Sequence, residues 1–195
     1  MQLTNWFPYS IGETFNSDHQ QYEEKYSKRC EEIKKEFKQQ RDDTWVSNLY
    51  NTSVTEYKLH EDKTFKPLIE WVQSQAQKYS DELGMKLNGD RYIPKLDGAW
   101  FNFYEKNNFQ EYHWHPCILS CIYYLKSNPN GARTIFKSKI YESYHIEYDS
   151  NSRPVGTCWY EPTPGGLLVF RGFMDHCVEQ KTDIDDRITI AFNFI

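Results

Sequence analysis

Apolar and polar positions follow two different rhythms along this chain. From about Ser17 to Asp43, Tyr22, Tyr26, Cys30, Ile33 and Phe37 recur every three or four residues among Glu, Lys and Arg, which places them on one stripe of an α-helix. Ser17 or Asp18 stands where it can cap the start, because the first backbone NH groups of a helix lack partners within it. The charges between the apolar positions read as a solvated face. A second stripe, Phe65, Leu68, Ile69, Val72, Ala76, Tyr79 and Leu83, ends at Gly84, a residue that readily takes the left-handed conformation common at helix C-termini. After Gly89 the rhythm shortens to segments rich in β-branched and aromatic residues, divided by Gly, Pro, Asn and Asp. The candidate strands are Ala99 to Tyr104, Glu111 to His115, Ile118 to Leu125, Thr134 to Phe136, Leu167 to Phe170, His176 to Glu179 and Arg187 to Phe194. Helices followed by a run of short strands predict a mainly β fold with N-terminal helices, a double-sheet jelly-roll barrel with the helices packed outside one sheet.

No internal repeat or Gly/Ser/Pro-rich linker divides the chain, and its 195 residues suit one domain. Residues 1–98 are expected to form a helical support region and 99–195 the jelly-roll core. The helices are also expected to offer surface for a homodimer contact. With 23 Lys plus Arg against 28 Asp plus Glu the net charge is −5, which disfavours non-specific nucleic-acid binding. An aromatic content of 17% suits a β-rich core and can also line a binding groove. Five Cys without a CxxC pair indicate neither a disulfide framework nor a thiolate zinc site, so a reducing compartment is expected. MQLTNWFPYSIG lacks the pattern of a signal peptide, and PCILSCIYYL is too short to cross a bilayer. A soluble cytoplasmic protein is the expectation.

Chemistry enters with EYHWHP. Side chains on a strand alternate between faces, so His113 and His115 point the same way and Trp114 the other. His176, after the turn marked by Arg171 and Gly172, would come from a neighbouring strand and complete three facial ligands, leaving positions open for a chelating cosubstrate and dioxygen. Imidazole suits iron, and also zinc, copper and nickel, so ligand type alone does not name the metal. A lone His is most often a core or surface residue; the ordered set, with an Arg downstream, favours a shared site. Glu111 lies on the same face; solvent exposure is its first expectation, ahead of a carboxylate ligand or an acceptor that orients an imidazole. His19, His60 and His145 fall outside this pattern.

In RITIAFNF, Arg187, Thr189 and Ala191 share one face, and Ile188 and Ile190 the other. A buried Arg needs an anionic partner, and the guanidinium fork matches a carboxylate bidentately, so a dicarboxylate cosubstrate would satisfy it. The competing reading is an Arg at an exposed strand start, paired with Asp185 or Asp186.

The ordered segments NFYEKNNFQEYHWH, YYL, GARTIF, PTPGGLLVFRGFMDHCV and DDRITIAFNF resemble successive core segments of the Fe(II)/2-oxoglutarate-dependent oxygenases. The likeness is strongest to a small branch with H-x-H-P, H-x-V and R-I-x-I-x-F-N, and it covers about residues 99–195. It implies a double-stranded β-helix, Fe(II), 2-oxoglutarate and O2, with hydroxylation as the usual outcome and succinate and CO2 as co-products. By the same resemblance His113 is the first metal ligand, His176 the distal one, and Arg187 the anchor of the 2-oxoglutarate C5 carboxylate. Asn102 and Tyr104 resemble an N-x-Y element that contacts 2-oxoglutarate in the nucleic-acid-demethylating branch. Asn193 falls where that branch often has a second Arg, which implies a cosubstrate contact. His115 departs from the pattern, since most of the family has Asp or Glu there. A three-His site carries one more unit of positive charge, and a missing carboxylate can free a position for halide. A three-His cupin-like iron dioxygenase that does not use 2-oxoglutarate and a non-catalytic jelly-roll binding module are the rival classes. The sequence does not name the prime substrate; the polar, Tyr-rich stretch from Ser138 to Thr163 is a candidate lid or substrate loop.

Overall fold

A computed structural model describes residues 9–39, 46–47, 49–128, 130–139, 156–180 and 187–195. In chain order its elements are β1 (Ile11–Phe15), α1 (His19–Glu36), β2 (Tyr50–Asn51), α2 (Lys66–Glu82), β3 (Lys86–Leu87), β4 (Asp90–Arg91), β5 (Leu96–Tyr104), β6 (Gln110–His113), β7 (Leu119–Lys126), β8 (Thr134–Lys137), β9 (Thr157–Tyr160), β10 (Gly166–Arg171), β11 (Asp175–Val178) and β12 (Arg187–Phe194). One sheet has six strands in the order β1-β10-β7-β12-β5-β2, and a second has four in the order β6-β11-β8-β9. Strand neighbours pair antiparallel. This is the jelly-roll arrangement expected from the strand-rich half of the sequence, with α1 and α2 outside the larger sheet.

Period-two alternation explains how the larger sheet serves two layers. On β12, Ile188, Ile190, Phe192 and Phe194 are fully buried towards the helices, where they join Tyr26, Cys30 and Ile33 of α1 and Leu68, Val72 and Ala76 of α2. The alternate residues of β12 face the smaller sheet. On β7, Ile122 and Tyr124 enter that inner layer with Phe136, Leu168, Phe170 and Met174, while Leu119, Cys121, Tyr123 and Leu125 face the helices.

The helix ends show which local signals operate. Asp18 occupies the N-cap of α1 but makes no capping hydrogen bond with its side chain. Asn16 takes over instead, its Oδ1 accepting from Asp18 N at 3.0 Å and its carbonyl from His19 N at 3.1 Å. α1 stops at Glu36, short of the expected Asp43. There the Phe37 ring turns to pack on Tyr57, 5.3 Å between centroids, and its backbone becomes extended. α2 ends as its sequence predicts. Gly84 has φ +59°, and Met85 N donates to Ser80 O at 2.8 Å across the last turn.

The division expected at residue 98 is not where the sheet begins. β1 and β2 form the two edges of the six-stranded sheet, so the N-terminal half supplies both of its flanks. Five residues in β1 and two in β2 pair through backbone groups that leave no periodic side-chain pattern to read. β9 was likewise not among the expected strands, and most of the candidate lid between Ser138 and Thr163 lies outside the described residues. No helix among the described residues is long and apolar enough to cross a membrane.

Candidate metal centre

His113 ends β6 and His176 lies on β11, directly opposite in the antiparallel register. His115 sits two residues past β6, in a segment held by His115 N donating to Gly172 O at 2.9 Å and Cys117 N donating to His115 O at 2.8 Å. Gly172 allows that approach: a Cβ there would meet Cys117 O and, at 2.8 Å, both Cys117 Sγ and His115 O. Trp114, between the two His, is 54% exposed. The rings of His113 and His176 are 4.2 Å apart, His115 and His176 5.1 Å, and His113 and His115 5.2 Å. Their candidate ligand nitrogens all lie within 4.8 Å of one another.

Each imidazole has its Nδ1 engaged by the protein. His113 Nδ1 lies 2.8 Å from Glu111 O, His176 Nδ1 3.0 Å from Met174 O, and His115 Nδ1 2.8 Å from Asn193 Oδ1. A carbonyl or amide oxygen can only accept, so Nδ1 carries the proton and Nε2 is the nitrogen with a lone pair for a metal. Burial lowers the pKa of His113, takes His115 down to about 4 with the neighbouring His113 adding to the effect, and takes His176 well below the ordinary histidine value. The three rings are therefore neutral at neutral pH, which is the ligating form. Phe136 and Phe170 wall the site, their centroids 5.6 and 4.9 Å from His176. Neutral imidazoles with Nδ1 engaged and Nε2 available suit a divalent transition metal, iron among them.

The same small cavity is lined by Arg187, Asn102 and Tyr104. Arg187 is 3% exposed and opposes Tyr104 across the β12–β5 pair. One guanidinium nitrogen donates to the Ala132 carbonyl and the other to Thr134 Oγ1 at 3.0 Å, while Tyr124 OH donates to the same Thr134 oxygen at 2.8 Å. The guanidinium lies 5.0 and 5.1 Å from the rings of Tyr104 and Tyr124. Its Nε is buried and has no hydrogen-bond partner among the described residues, and Asn102 Oδ1 is in the same condition. A buried cation incompletely satisfied by neutral oxygens fits an anionic ligand. Asp185 and Asp186, the alternative partners for Arg187, lie outside the described residues. Tyr104 OH donates to Gln110 Oε1 at 2.8 Å, and burial pushes its pKa up to about 12, so it stays a neutral donor.

Two expected contacts have different surroundings. Asn193 is set apart from Arg187 and spends its amide oxygen on His115 Nδ1 and on Ser120 OH, at 2.8 and 3.1 Å; it orients a candidate ligand, and this arrangement does not direct it at a cosubstrate. The reason lies in strand geometry, since Asn193 stands six residues along β12 from Arg187, about 20 Å of extended chain. Glu111 does not point a carboxylate at the centre. It accepts backbone NH groups of Val46 and Ser47 at 2.6 and 3.3 Å, and its own carbonyl takes the His113 proton. Sequence reading missed Ser120, fully buried and 3.0 Å from His115 Nδ1, although a single serine in the otherwise hydrophobic and aromatic run LSCIYYL was a usable signal. It also missed Gln110. His19 lies apart, its Nδ1 2.8 Å from Tyr123 OH, and His60 lies beside Glu61. His145 is outside the described residues.

Residues 98–193 match the model of a family described as "Putative 2OG-Fe(II) oxygenase". No curated protein matches the sequence. Among solved structures, a Pseudomonas putida prolyl-4-hydroxylase is 12% identical, with 95% of this chain and 92% of that chain covered and a TM-score of 0.62. A Trichoplax adhaerens prolyl hydroxylase, in complex with a hypoxia-inducible-factor oxygen-degradation-domain peptide fragment, is 11% identical, covering 95% and 83%, with a TM-score of 0.62. HygX from Streptomyces hygroscopicus, with nickel, 2-oxoglutarate and hygromycin B bound, is 10% identical, covering 95% and 82%, with a TM-score of 0.57. At such identities the structural likeness establishes the fold, and the family match over the strands that carry the His and Arg residues adds the chemistry. Through that match the strand-rich half of the chain, residues 98–193, is assigned to the 2OG-Fe(II) oxygenases, which use Fe(II) and 2-oxoglutarate.

Proposed function

We propose that the protein is an Fe(II)- and 2-oxoglutarate-dependent dioxygenase that hydroxylates a C–H bond of its prime substrate. The observation that carries this reading is a single cavity lined by three neutral imidazoles and by a buried guanidinium whose Nε has no partner among the described residues. His113, His115 and His176 hold the metal through Nε2, and Arg187 holds the far carboxylate of 2-oxoglutarate. The Asn102 amide would donate to its oxygens, while Tyr104, whose proton goes to Gln110 Oε1, lines the Arg187 end of the pocket with its ring. When bound, Fe(II) and 2-oxoglutarate supply the oxidising power: one O2, one 2-oxoglutarate and one C–H group give succinate, CO2 and one C–OH group.

This chain contributes orientation and shielding. The Nδ1 contacts to Glu111, Met174 and Asn193 fix each ring, and Phe136 and Phe170 keep water from one side of the site. With an imidazole at His115 in place of a carboxylate, the ligand set is one charge unit more positive.

The experiment uses anaerobically prepared protein given Fe(II), 2-oxoglutarate and then O2, with succinate measured. Succinate release that N-oxalylglycine inhibits is expected, and His176→Ala should abolish both metal retention and release while the thermal melt stays cooperative. Absence of 2-oxoglutarate binding, together with indifference to N-oxalylglycine, overturns the reading.

A further inference from the structure

A second cleft, of about 210 Å3, opens beside His113 and His115; it shares these two residues, Trp100 and Gln110 with the cavity that Arg187 lines, and Arg187 does not line it. Its wall carries four carboxamides, Gln39, Asn51, Gln110 and Asn193, and two indoles, Trp100 and Trp114. No charged side chain lines it among the described residues.

All four amide oxygens are already engaged inside the protein. Gln39 Oε1 accepts from Asn51 N at 3.0 Å, and Asn51 Oδ1 accepts from Ser53 N at 2.7 Å. Gln110 Oε1 accepts from Tyr104 OH at 2.8 Å, and Asn193 Oδ1 accepts from His115 Nδ1 and Ser120 OH. A carboxamide whose oxygen is committed has only its NH2 left to offer a ligand, and that group is a donor. The wall is therefore uncharged and biased towards donors, with an apolar ring surface alongside; Trp100 lies 5.4 Å from the His115 ring.

Resting on the oxygenase reading for the position of the reacting centre, we propose that this cleft is the prime-substrate subsite. Its occupant is an uncharged segment rich in amide or imide carbonyl oxygens, which accept from these NH2 groups while an apolar or planar part lies on an indole. Among the described residues a cationic amine would find no counter-charge on this wall, only neutral hydroxyl acceptors such as Ser47 and Ser53, and burying it without an anionic partner is costly. Amide carbonyls occur both in peptides and in small cyclic imides, and the test separates the two sources.

Binding is read as quenching of indole fluorescence in metal-free protein. The probes are N-acetyl-trialanine N-methylamide, the same peptide with a free and therefore cationic amino terminus, and thymine. The neutral peptide, the neutral ring or both should bind, and the one that binds identifies the source; the cationic peptide should bind at least about tenfold more weakly than its capped form. The paired substitution Gln39→Glu with Asn51→Asp keeps each internal hydrogen bond, because the retained oxygen still accepts, and replaces the remaining donor by an anionic acceptor. It should weaken the neutral probes about tenfold or more and improve the cationic one. A circular-dichroism melt confirms that the variant folds. Failure of both neutral probes to bind, or equal affinities in wild type and variant, overturns the proposal. Fe(II) and 2-oxoglutarate binding, measured separately on the same preparations, shows whether the oxygenase reading survives that result: retention of both with no probe discrimination removes the cleft assignment alone.

Discussion

The two faces of the six-stranded sheet are built from the same strands and do opposite work. Towards the helices, β12 presents Ile188, Ile190, Phe192 and Phe194, all fully buried among other apolar side chains. Towards the smaller sheet the same strand presents Arg187, Thr189 and Asn193, and β5 adds Asn102 and Tyr104. The outer face gains its stability by removing hydrocarbon from water. The inner face keeps polar groups out of water, including a guanidinium Nε and an amide oxygen that have no partner among the described residues, and so gives up stability to hold a ligand site. Alternation along a strand thus lets stability and chemistry be set almost independently, one residue apart.

The sharpest way to break this comparison is Phe192→Ala. Removing a fully buried aromatic ring should cost about 3–5 kcal/mol in denaturant unfolding while leaving metal affinity in the folded protein unchanged. A loss of metal affinity of similar size would show that the two faces are coupled. The converse substitution, Arg187→Lys, keeps the charge and removes the fork. It should weaken 2-oxoglutarate by about a hundredfold in calorimetry, with a melt close to wild type. Asn193→Ala should then lower metal affinity about tenfold by freeing the His115 ring, and Asn193→Asp, which keeps the acceptor, should restore it.

The smallest effect concerns the flank of the helix-facing layer. Burial alone would raise the Asp62 pKa, but hydrogen bonds from Arg29, Thr64 and Tyr57 prevail and hold it at about 2, against an ordinary 3.8. A carboxylate whose pKa is depressed on folding stabilises the protein above its unfolded value and loses that contribution as pH falls through the folded one. Stability should therefore decline by about 1–2 kcal/mol between pH 4 and pH 2 on account of this group. Asp62→Asn should flatten that part of the curve in acid titrations followed by circular dichroism.

Much of the architecture was legible because it rests on local periodicity. The apolar stripes of α1 and α2, the end of α2 at Gly84 and the span Arg187–Phe194 follow from which side chains can share a face. β1, β2 and β9 were not legible, because they are short and owe their place to backbone pairing with distant strands. The same contrast runs through the candidate site. The His-x-His spacing is a property of neighbouring residues, but the strand ends at His113, and contacts with Gly172 and Cys117 hold His115 beyond it. That His176 stands opposite His113, that Glu111 clamps Val46 and Ser47, and that Asn193 reaches His115 all depend on strand order and register.

By itself, then, the sequence determined the helical and extended periods, the presence of a His-x-His pair with a later His and Arg, and the family whose segments it resembles. These are matters of covalent order and local side-chain direction. Only the tertiary structure decided which polar groups meet, with Asn193 turned to a candidate ligand and four carboxamides with engaged oxygens brought to one cleft. Hydrogen bonds between residues dozens of positions apart form only after sheets have closed on one another, and no local pattern encodes their direction.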